Sequence, residues 1–148
     1  MSIEPKTLKG FRDFAPKDKI ARDILIGKIK NTFELFGYLP LETPALEFKE
    51  ILTGDYGEDE KLMYSFTDHG GREVAMRFDL TVPFARYVAG NKSLTFPFKR
   101  YQIAPVWRGE NTQAGRYREF YQCDADIVGA DQEKSDFEII SLAVKLLK

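Results

Sequence analysis

The chain has 148 residues, of which 43% are hydrophobic and 30% are charged, and its formal net charge is −1. These values are typical of one soluble globular domain, and they exclude both a disordered chain and a generally basic nucleic-acid coat protein. The single cysteine, Cys123, excludes an intrachain disulfide and suits a reducing compartment. The polar N-terminal segment and the lack of a long apolar run predict a cytoplasmic protein with no membrane span.

The first predicted element is an amphipathic helix over residues 17–36. Pro16 suits its first turn, apolar residues recur at helical spacing, and Gly37 is a natural stop. The next segment, YLPLETPALE (38–47), carries two prolines, which forbid a helix or a central strand. We therefore expect an extended edge segment there.

A hairpin and a short helix are predicted in the middle of the chain. The runs KLMYSF and REVAMRF, at 61–66 and 72–78, flank TDHGG, whose glycines can supply positive φ angles for a turn. The helix is expected over 79–90, with Asp79 or Thr81 near its start.

Two long strands and a last helix complete the pattern. The strands are expected at 96–110 and 116–129, antiparallel because the loop NTQAG between them is short. Pro105 should make the first strand partly irregular or place it at an edge. A helix follows over 131–148. Since the order lacks regular β-α-β alternation, it predicts an α+β fold, an antiparallel sheet with helices on one side.

Charged residues alternate with apolar ones along the second long strand. One face carries Arg118, Phe120, Gln122, Asp124 and Asp126, and the other carries Glu119, Tyr121, Cys123, Ala125 and Ile127. The ordinary explanation of such a polar face is the solvent-facing side of an antiparallel sheet. Cys123, on the apolar face, is expected to be a small core residue.

Three details favour a binding site on the polar face. Carboxylates oppose arginines, Phe120 offers a flat apolar surface among charges, and Arg116 and Arg118 follow a flexible loop. Guanidinium groups suit phosphates, carboxylates accept amine and imidazole N–H groups, and an aromatic ring stacks on a base. The pattern therefore predicts a site for a nucleotide beside an amine-bearing molecule.

The stretch VWRGENTQAGRYREFYQCDADIVG (106–129) resembles motif 2 of class II aminoacyl-tRNA synthetases, namely Arg-x-Glu, a loop and Arg-x-x-x-Phe-x-x-x-Asp. The matching positions are Arg108, Glu110, Arg116, Phe120 and Asp124. GYLPLETPALE resembles motif 1, with Pro44 as its proline. The phrases KGFRDFAP, LETPALE, RFDLTVPFARYVA, FKRYQIAPVWR and GRYREFYQCDADIVG are similar to histidyl-tRNA synthetases of the archaeal–eukaryotic style.

The resemblance implies an ATP site. Arg108 would bind the α-phosphate and the amino acid's carboxylate, Glu110 the adenine amino group, and Arg116 the γ-phosphate, while Phe120 would stack on adenine. It also implies Mg²⁺, with no metal ligand among the protein side chains. In this family the histidine carboxylate attacks the α-phosphorus in line without an enzyme nucleophile, so Arg108 would be the catalytic residue.

The resemblance also implies a histidine site. Asp79, Thr81 and Gln122 would hold the α-ammonium group, Arg108 the carboxylate, and Asp126 the imidazole. Asp126 is shorter than the glutamate expected from bacterial relatives.

The resemblance covers nearly the whole chain and implies that residues 1–148 form the amino-terminal part of a class II catalytic domain, with motifs 1 and 2. Motif 3 and the anticodon-binding domain would lie beyond residue 148. We therefore expect about the first third of such an enzyme, either a piece of a longer protein or a natural truncation, and expect it to be inactive alone.

Two kinds of partner are implied. Motif 1 would build a homodimer through residues 38–47. In the complete enzyme, the acceptor end of tRNA(His) would be contacted by basic side chains, and the candidates are Lys99, Arg100, Arg116 and Arg118.

Three functions stay open on the sequence. The first is histidine–tRNA ligase activity, and the second is that of a non-catalytic, histidine-binding regulatory subunit of ATP phosphoribosyltransferase, which shares the fold. The third is a dimerisation fragment. The intact residues Arg108, Glu110, Arg116 and Phe120 favour the adenylating enzyme, because a sensor need not bind ATP.

Overall fold

The structure, a computed structural model, describes residues 3–54 and 62–148. Its elements are α1 Pro16–Leu35, β1 Leu39–Pro40, β2 Leu46–Phe48, α2 Lys49–Thr53, β3 Ser65–Thr67, β4 Glu73–Met76, α3 Thr81–Gly90, β5 Phe98–Trp107, β6 Glu119–Val128 and α4 Gln132–Leu146. The three predicted helices and the α+β fold class are confirmed. Among the described residues, no helix has the length and apolar composition needed to cross a membrane.

The strands form two three-stranded sheets, in the orders β1-β5-β6 and β2-β4-β3. β5 and β6 pair antiparallel along their whole length, from Phe98 opposite Val128 to Trp107 opposite Glu119. β1 joins β5 in parallel, so the prediction of one antiparallel sheet is wrong. The predicted hairpin is confirmed as β3 and β4, and the 38–47 segment supplies an edge strand to each sheet.

β5 stays regular through Pro105, although it is the central strand of its sheet. The amide of Trp107 donates to the Arg77 carbonyl, away from β6. Because strand residues two apart point the same way, the nitrogen of Pro105 also faces away from β6. On that side β1 pairs only with Arg100 and Tyr101. The proline therefore occupies a position where neither neighbouring strand needs its missing N–H.

Helices cover both faces of the β1-β5-β6 sheet, not one face as predicted. Phe33 of α1 and Leu142 of α4 form a buried cluster with Tyr101 of β5. On the opposite face, Leu80, just before α3, packs with Ala104 of β5. This second face is the polar face of the sequence, and α3 covers one end of it.

Cys123 is exposed, so the prediction that it is a core residue is wrong. It lies on the α1/α4 side of β6, where the helices pack against Ala125 and Ile127. Its neighbour on that side, Tyr121, is 43% exposed. The helices therefore cover only the carboxyl-terminal end of this face of β6.

Candidate functional site

The polar face of β5 and β6 carries the candidate site. Along it Arg100 lies opposite Asp126, Ala104 opposite Gln122, and Val106 opposite Phe120. The predicted alternation is confirmed in its packing, since Phe120 contacts the Leu80 cluster while Ala125 and Ile127 face the helices. We call the end of this face near the β5–β6 loop the loop end, and the end near Asp126 the α3 end.

At the loop end, a cavity of about 250 Å³ collects all four predicted nucleotide residues. Its lining residues are Arg108, Glu110, Gly115, Arg116, Tyr117 and Phe120. Two guanidinium groups, a carboxylate and an aromatic ring can bind a phosphate chain, an amino group and a base respectively. Tyr117 was not among the predicted residues.

The guanidinium group of Arg108 is fixed by the backbone and by aromatic rings. Its Nε atom donates to the Phe78 carbonyl at 3.1 Å. Its central carbon lies 4.4 Å from the centroid of the Phe78 ring and 5.2 Å from that of Phe120. Aromatic faces orient a cation without neutralising its charge, as an ion pair with a carboxylate would.

Glu110 and Arg116 form an ion pair across the base of the β5–β6 loop. The hydrogen bond from Arg116 lowers the pKa of the Glu110 carboxyl below its usual value, so this carboxylate stays ionised at neutral pH. Arg118 donates from its Nε atom to the Glu110 carbonyl at 3.0 Å. Two arginines that precede β6 therefore border the loop end.

At the α3 end, Asp79 caps the helix. Its Oδ1 atom accepts from the amides of Thr81 and Val82 at 3.1 and 3.0 Å, as expected at a helix N-terminus. Thr81 and Asp126 line a mainly apolar cavity of about 400 Å³ between α3 and β6. The structure thus brings two of the predicted histidine residues to one cavity.

The other polar groups of the α3 end are partly buried. The Oε1 atom of Gln122 is buried and makes no hydrogen bond to the described part of the chain. Burial raises the pKa of Asp126, an effect opposed by the charge of Arg100 and increased by Asp79. Burial likewise raises the pKa of Asp124, with the same opposition from Arg100. These carboxylates are costly to ionise unless a cation faces them.

Arg100 does not face solvent, so the prediction that it contacts tRNA is wrong. Its exposed fraction is 0%, and its Nη2 atom lies 2.6 Å from Oδ2 of Asp126. Lys99 points to the other face and pairs with Glu138 of α4. Arg100 lies an even number of residues before Arg108, so the two side chains point to the same face of the extended chain. This alternation was the sequence signal that could have placed Arg100 in the site.

The N-terminal segment also contributes to the loop end. The amide of Arg118 donates to the Gly10 carbonyl at 2.9 Å, and the Arg12 guanidinium carbon lies 3.2 Å from the centroid of the Tyr117 ring. Gly10 has a φ of +89°, and an added Cβ atom would lie 2.7 Å from Cγ2 of Thr112 in the loop. The sequence offered no signal for these contacts beyond the glycine itself.

Solved structures share this fold. A structure described as an ATP phosphoribosyltransferase regulatory subunit/histidyl-tRNA synthetase from Bacillus halodurans matches 99% of this chain and 38% of its own, with a TM-score of 0.87 and 25% identity. Histidyl-tRNA synthetase from Nostoc sp. PCC 7120 matches 96% of this chain and 33% of its own, with a TM-score of 0.82 and 35% identity. The fold is therefore that of class II histidyl-tRNA synthetases.

Sequence relatives narrow the class to a family. A family model described as histidyl-tRNA synthetase matches residues 10–148. Histidine–tRNA ligase from Treponema denticola is 56% identical over 98% of this chain and 33% of its own length. The ligase from Aeropyrum pernix is 52% identical over 95% of this chain and 33% of its own length. The chain belongs to the histidyl-tRNA synthetase family, and it spans about a third of the length of these curated relatives.

Proposed function

We propose that the chain is the amino-terminal part of the catalytic domain of a cytoplasmic histidine–tRNA ligase. The complete protein would use ATP to convert histidine to histidyl-adenylate and then transfer the histidyl group to tRNA(His). The observation that carries this proposal is the loop-end cavity, which Arg108, Glu110, Arg116 and Phe120 line together. The names of the relatives support the choice of amino acid.

In this proposal the loop end binds ATP. Phe120 stacks on adenine and Glu110 accepts a hydrogen bond from its amino group, a role that suits a carboxylate held ionised by its arginine neighbour. Arg116 reaches the γ-phosphate. Arg108 contacts the α-phosphate and the histidine carboxylate, and stabilises the charge that develops between them during attack.

The α3 end binds histidine. The α-ammonium group is held by Asp79, Thr81 and Gln122, and Asp126 accepts a hydrogen bond from the imidazole. Two features support this placement. Thr81 and Asp126 line one cavity, and a cationic ammonium group offsets the cost of ionising carboxylates at a partly buried site.

The donor set of the loop end fits an anionic nucleotide, because two arginine side chains line one cavity. Mg²⁺ would therefore be held through the phosphates of ATP, which is a common mode of binding for this ion. When bound, it neutralises charge on the phosphates. The protein then contributes to catalysis in two ways. It positions the two substrates in line, and Arg108 stabilises the charge that develops during the attack.

Two partners belong to the same proposal. The acceptor end of tRNA(His) would approach the loop end, where Arg116 is exposed. A homodimer would form through residues 38–47, where Leu39 and Leu46 are 60% and 45% exposed. Sedimentation velocity of the complete protein tests the dimer: a monomer at high concentration contradicts it, and a shift to monomer on Leu39→Asp supports it.

A second candidate is a histidine-binding regulatory subunit of ATP phosphoribosyltransferase. The Bacillus halodurans structure is described as such a regulatory subunit as well as a histidyl-tRNA synthetase. The two candidates differ at the loop end, since a sensor need not bind ATP. The test is ATP–pyrophosphate exchange by the complete gene product. Exchange that depends on histidine supports the ligase, whereas histidine binding without exchange supports the regulatory subunit.

A further inference from the structure

We propose that Arg100 is a positioning residue for histidine: it places a positive charge against the Asp126 carboxylate and ties the Asp79–Thr81 segment to β6. This inference rests on the proposed function and deepens it. Arg100 lies beneath the site, where it reaches the substrate only through Asp126 and the segment before α3.

The first observation is the geometry of one nitrogen atom. Nη2 of Arg100 donates a hydrogen bond to the Leu80 carbonyl at 3.0 Å and lies 2.6 Å from Oδ2 of Asp126. Oδ2 itself is without an aligned hydrogen bond in the described part of the chain, so the Asp126 contact is an attraction between charges. Leu80 lies between Asp79 and Thr81. One nitrogen therefore joins the two segments that carry the proposed histidine ligands.

The second observation is how incompletely the buried guanidinium group is hydrogen-bonded. The side chain of Arg100 is fully buried, and its central carbon lies 4.3 Å from the centroid of the Phe84 ring. Its Nε and Nη1 atoms are buried without hydrogen-bond partners among the described residues. Burying a cation is costly unless its charge and hydrogen bonds are matched. An apolar side chain would serve packing better, which indicates that the charge itself is used.

Arg77 provides the contrast. It is also buried, at 4% exposure, but its Nε and Nη1 atoms donate to the carbonyls of Pro105 and Thr43 at 2.9 and 2.7 Å. This is a structural arrangement, because the hydrogen bonds go to the backbone of neighbouring segments. The closest polar contact of Arg100 is instead with the carboxylate of Asp126 in the site.

The third observation is the surroundings of Asp126. Burial raises its pKa, Arg100 opposes the rise, and Asp79 increases it. In the described part of the chain, the titratable groups that influence Asp126 are Arg100 of β5, Asp124 of β6, Asp79 before α3 and, from the opposite side of the sheet, Tyr38 after α1. Arg100 is the one among them that favours the ionised form. Without it, the carboxyl would take up a proton at higher pH and would bind imidazole N–H groups less well.

The test uses histidine-dependent ATP–pyrophosphate exchange by the complete protein, with variants Arg100→Met, Arg100→Lys and Arg77→Met. The KM for histidine and the KM for ATP are measured from pH 5.5 to 8.5. The imidazole of free histidine titrates in this range too, but its contribution is common to all variants. Differences between variants therefore report the protein.

We expect Arg100→Met to raise the KM for histidine about ten- to a hundredfold, with little change in kcat or in the KM for ATP. The acidic limb of kcat/KM for histidine should move to higher pH. Arg100→Lys, which keeps a charge, should restore part of that shift and, as the milder change, serves if Arg100→Met does not fold. Arg77→Met should leave the shape of the profile unchanged.

Three results have distinct meanings. An active parent protein whose Arg100 variants keep the parental histidine KM and pH profile overturns the role of Arg100. A change in Arg100→Met that Arg77→Met reproduces also overturns it, because the effect is then structural. A parent protein with no histidine-dependent exchange overturns the proposed function, and this inference with it.

Discussion

The two ends of the β5–β6 polar face use charge in opposite ways. At the loop end, the Arg116 side chain of the Glu110–Arg116 pair is 55% exposed, so solvent screens the pair and its stabilising effect is small. At the α3 end, the guanidinium group of Arg100 is fully buried beside Asp126. One strand alternation thus produces a solvent-accessible site at the loop end and a desolvated one at the α3 end. Solvent access, which α3 controls, makes the difference.

This difference predicts a division of labour. Arginine side chains at the loop end can stabilise the charge that develops on a phosphate chain, so the loop end should affect the reaction rate. Fixed and partly buried carboxylates select a ligand before the reaction, so the α3 end should affect histidine affinity.

The largest effect is expected from Arg108→Ala in the complete protein. This change removes contacts to the α-phosphate and carboxylate that tighten as the adenylate forms. We expect pyrophosphate exchange to fall about 10²- to 10³-fold, with a much smaller change in histidine affinity. Arg72→Ala is the control, because Arg72 pairs with Asp68 in the hairpin of the other sheet. A change confined to the histidine KM would contradict the assignment.

The next effect is expected from Gln122→Ala and Asp126→Ala. Each removes a partner for the ammonium or imidazole group, and an unpaired polar group costs about 1–3 kcal/mol. We expect the KM for histidine to rise about ten- to a hundredfold, with the KM for ATP nearly unchanged. Asp23→Ala, which removes an exposed partner of Lys19 on α1, is the control.

A smaller effect is expected on stability from Asp124→Asn. Burial raises the pKa of Asp124 in the folded state, so the folded protein binds this proton more tightly than the unfolded chain does. Stability should then fall as pH rises from the unfolded pKa through the folded one. Asparagine removes that fall.

Thermal unfolding at pH 4 and pH 7.5 checks this prediction. We expect Asp124→Asn to raise the melting temperature by a few degrees at pH 7.5, and to have a smaller effect at pH 4, where a larger share of the parent carboxyl is protonated. Equal destabilisation at both pH values would show that Asp124 is stabilising as a carboxylate.

The smallest effect compares two glycines. Gly10→Ala forces a Cβ atom against the β5–β6 loop at a positive φ angle, and should cost about 1 kcal/mol or more. It should also raise the KM for ATP a few-fold by displacing the loop. Gly27→Ala, inside α1 with no atom near its added Cβ, should instead stabilise by roughly 0.5–1 kcal/mol. Equal unfolding temperatures for the two variants would contradict the proposal that the N-terminal segment supports the β5–β6 loop.

Local signals were enough to predict most elements and the polar face. Pro16 and Gly37 bound the first helix, and the alternation along β6 set which side chains share a face. Both are properties of a few neighbouring residues, and the resemblance to known motifs then named the site residues.

The failures have non-local causes. Arg100 looked like an exposed strand arginine, because the α3 segment that buries it is some twenty residues earlier in the chain. Pro105 looked incompatible with a central strand, because its pairing depends on how far β1 extends along β5. Cys123 looked buried, because alternation gives its face but not the reach of the helices that cover that face.

The most direct test of the two-ended site is one side-by-side titration. Pyrophosphate exchange by the complete protein is measured for Arg108→Ala, Gln122→Ala and Asp126→Ala, varying histidine and ATP separately. We expect a lost rate for Arg108→Ala and a raised histidine KM with a retained rate for the other two. If Gln122→Ala and Asp126→Ala leave the histidine dependence unchanged, the α3 end is an ordinary sheet surface and the proposed histidine site is wrong.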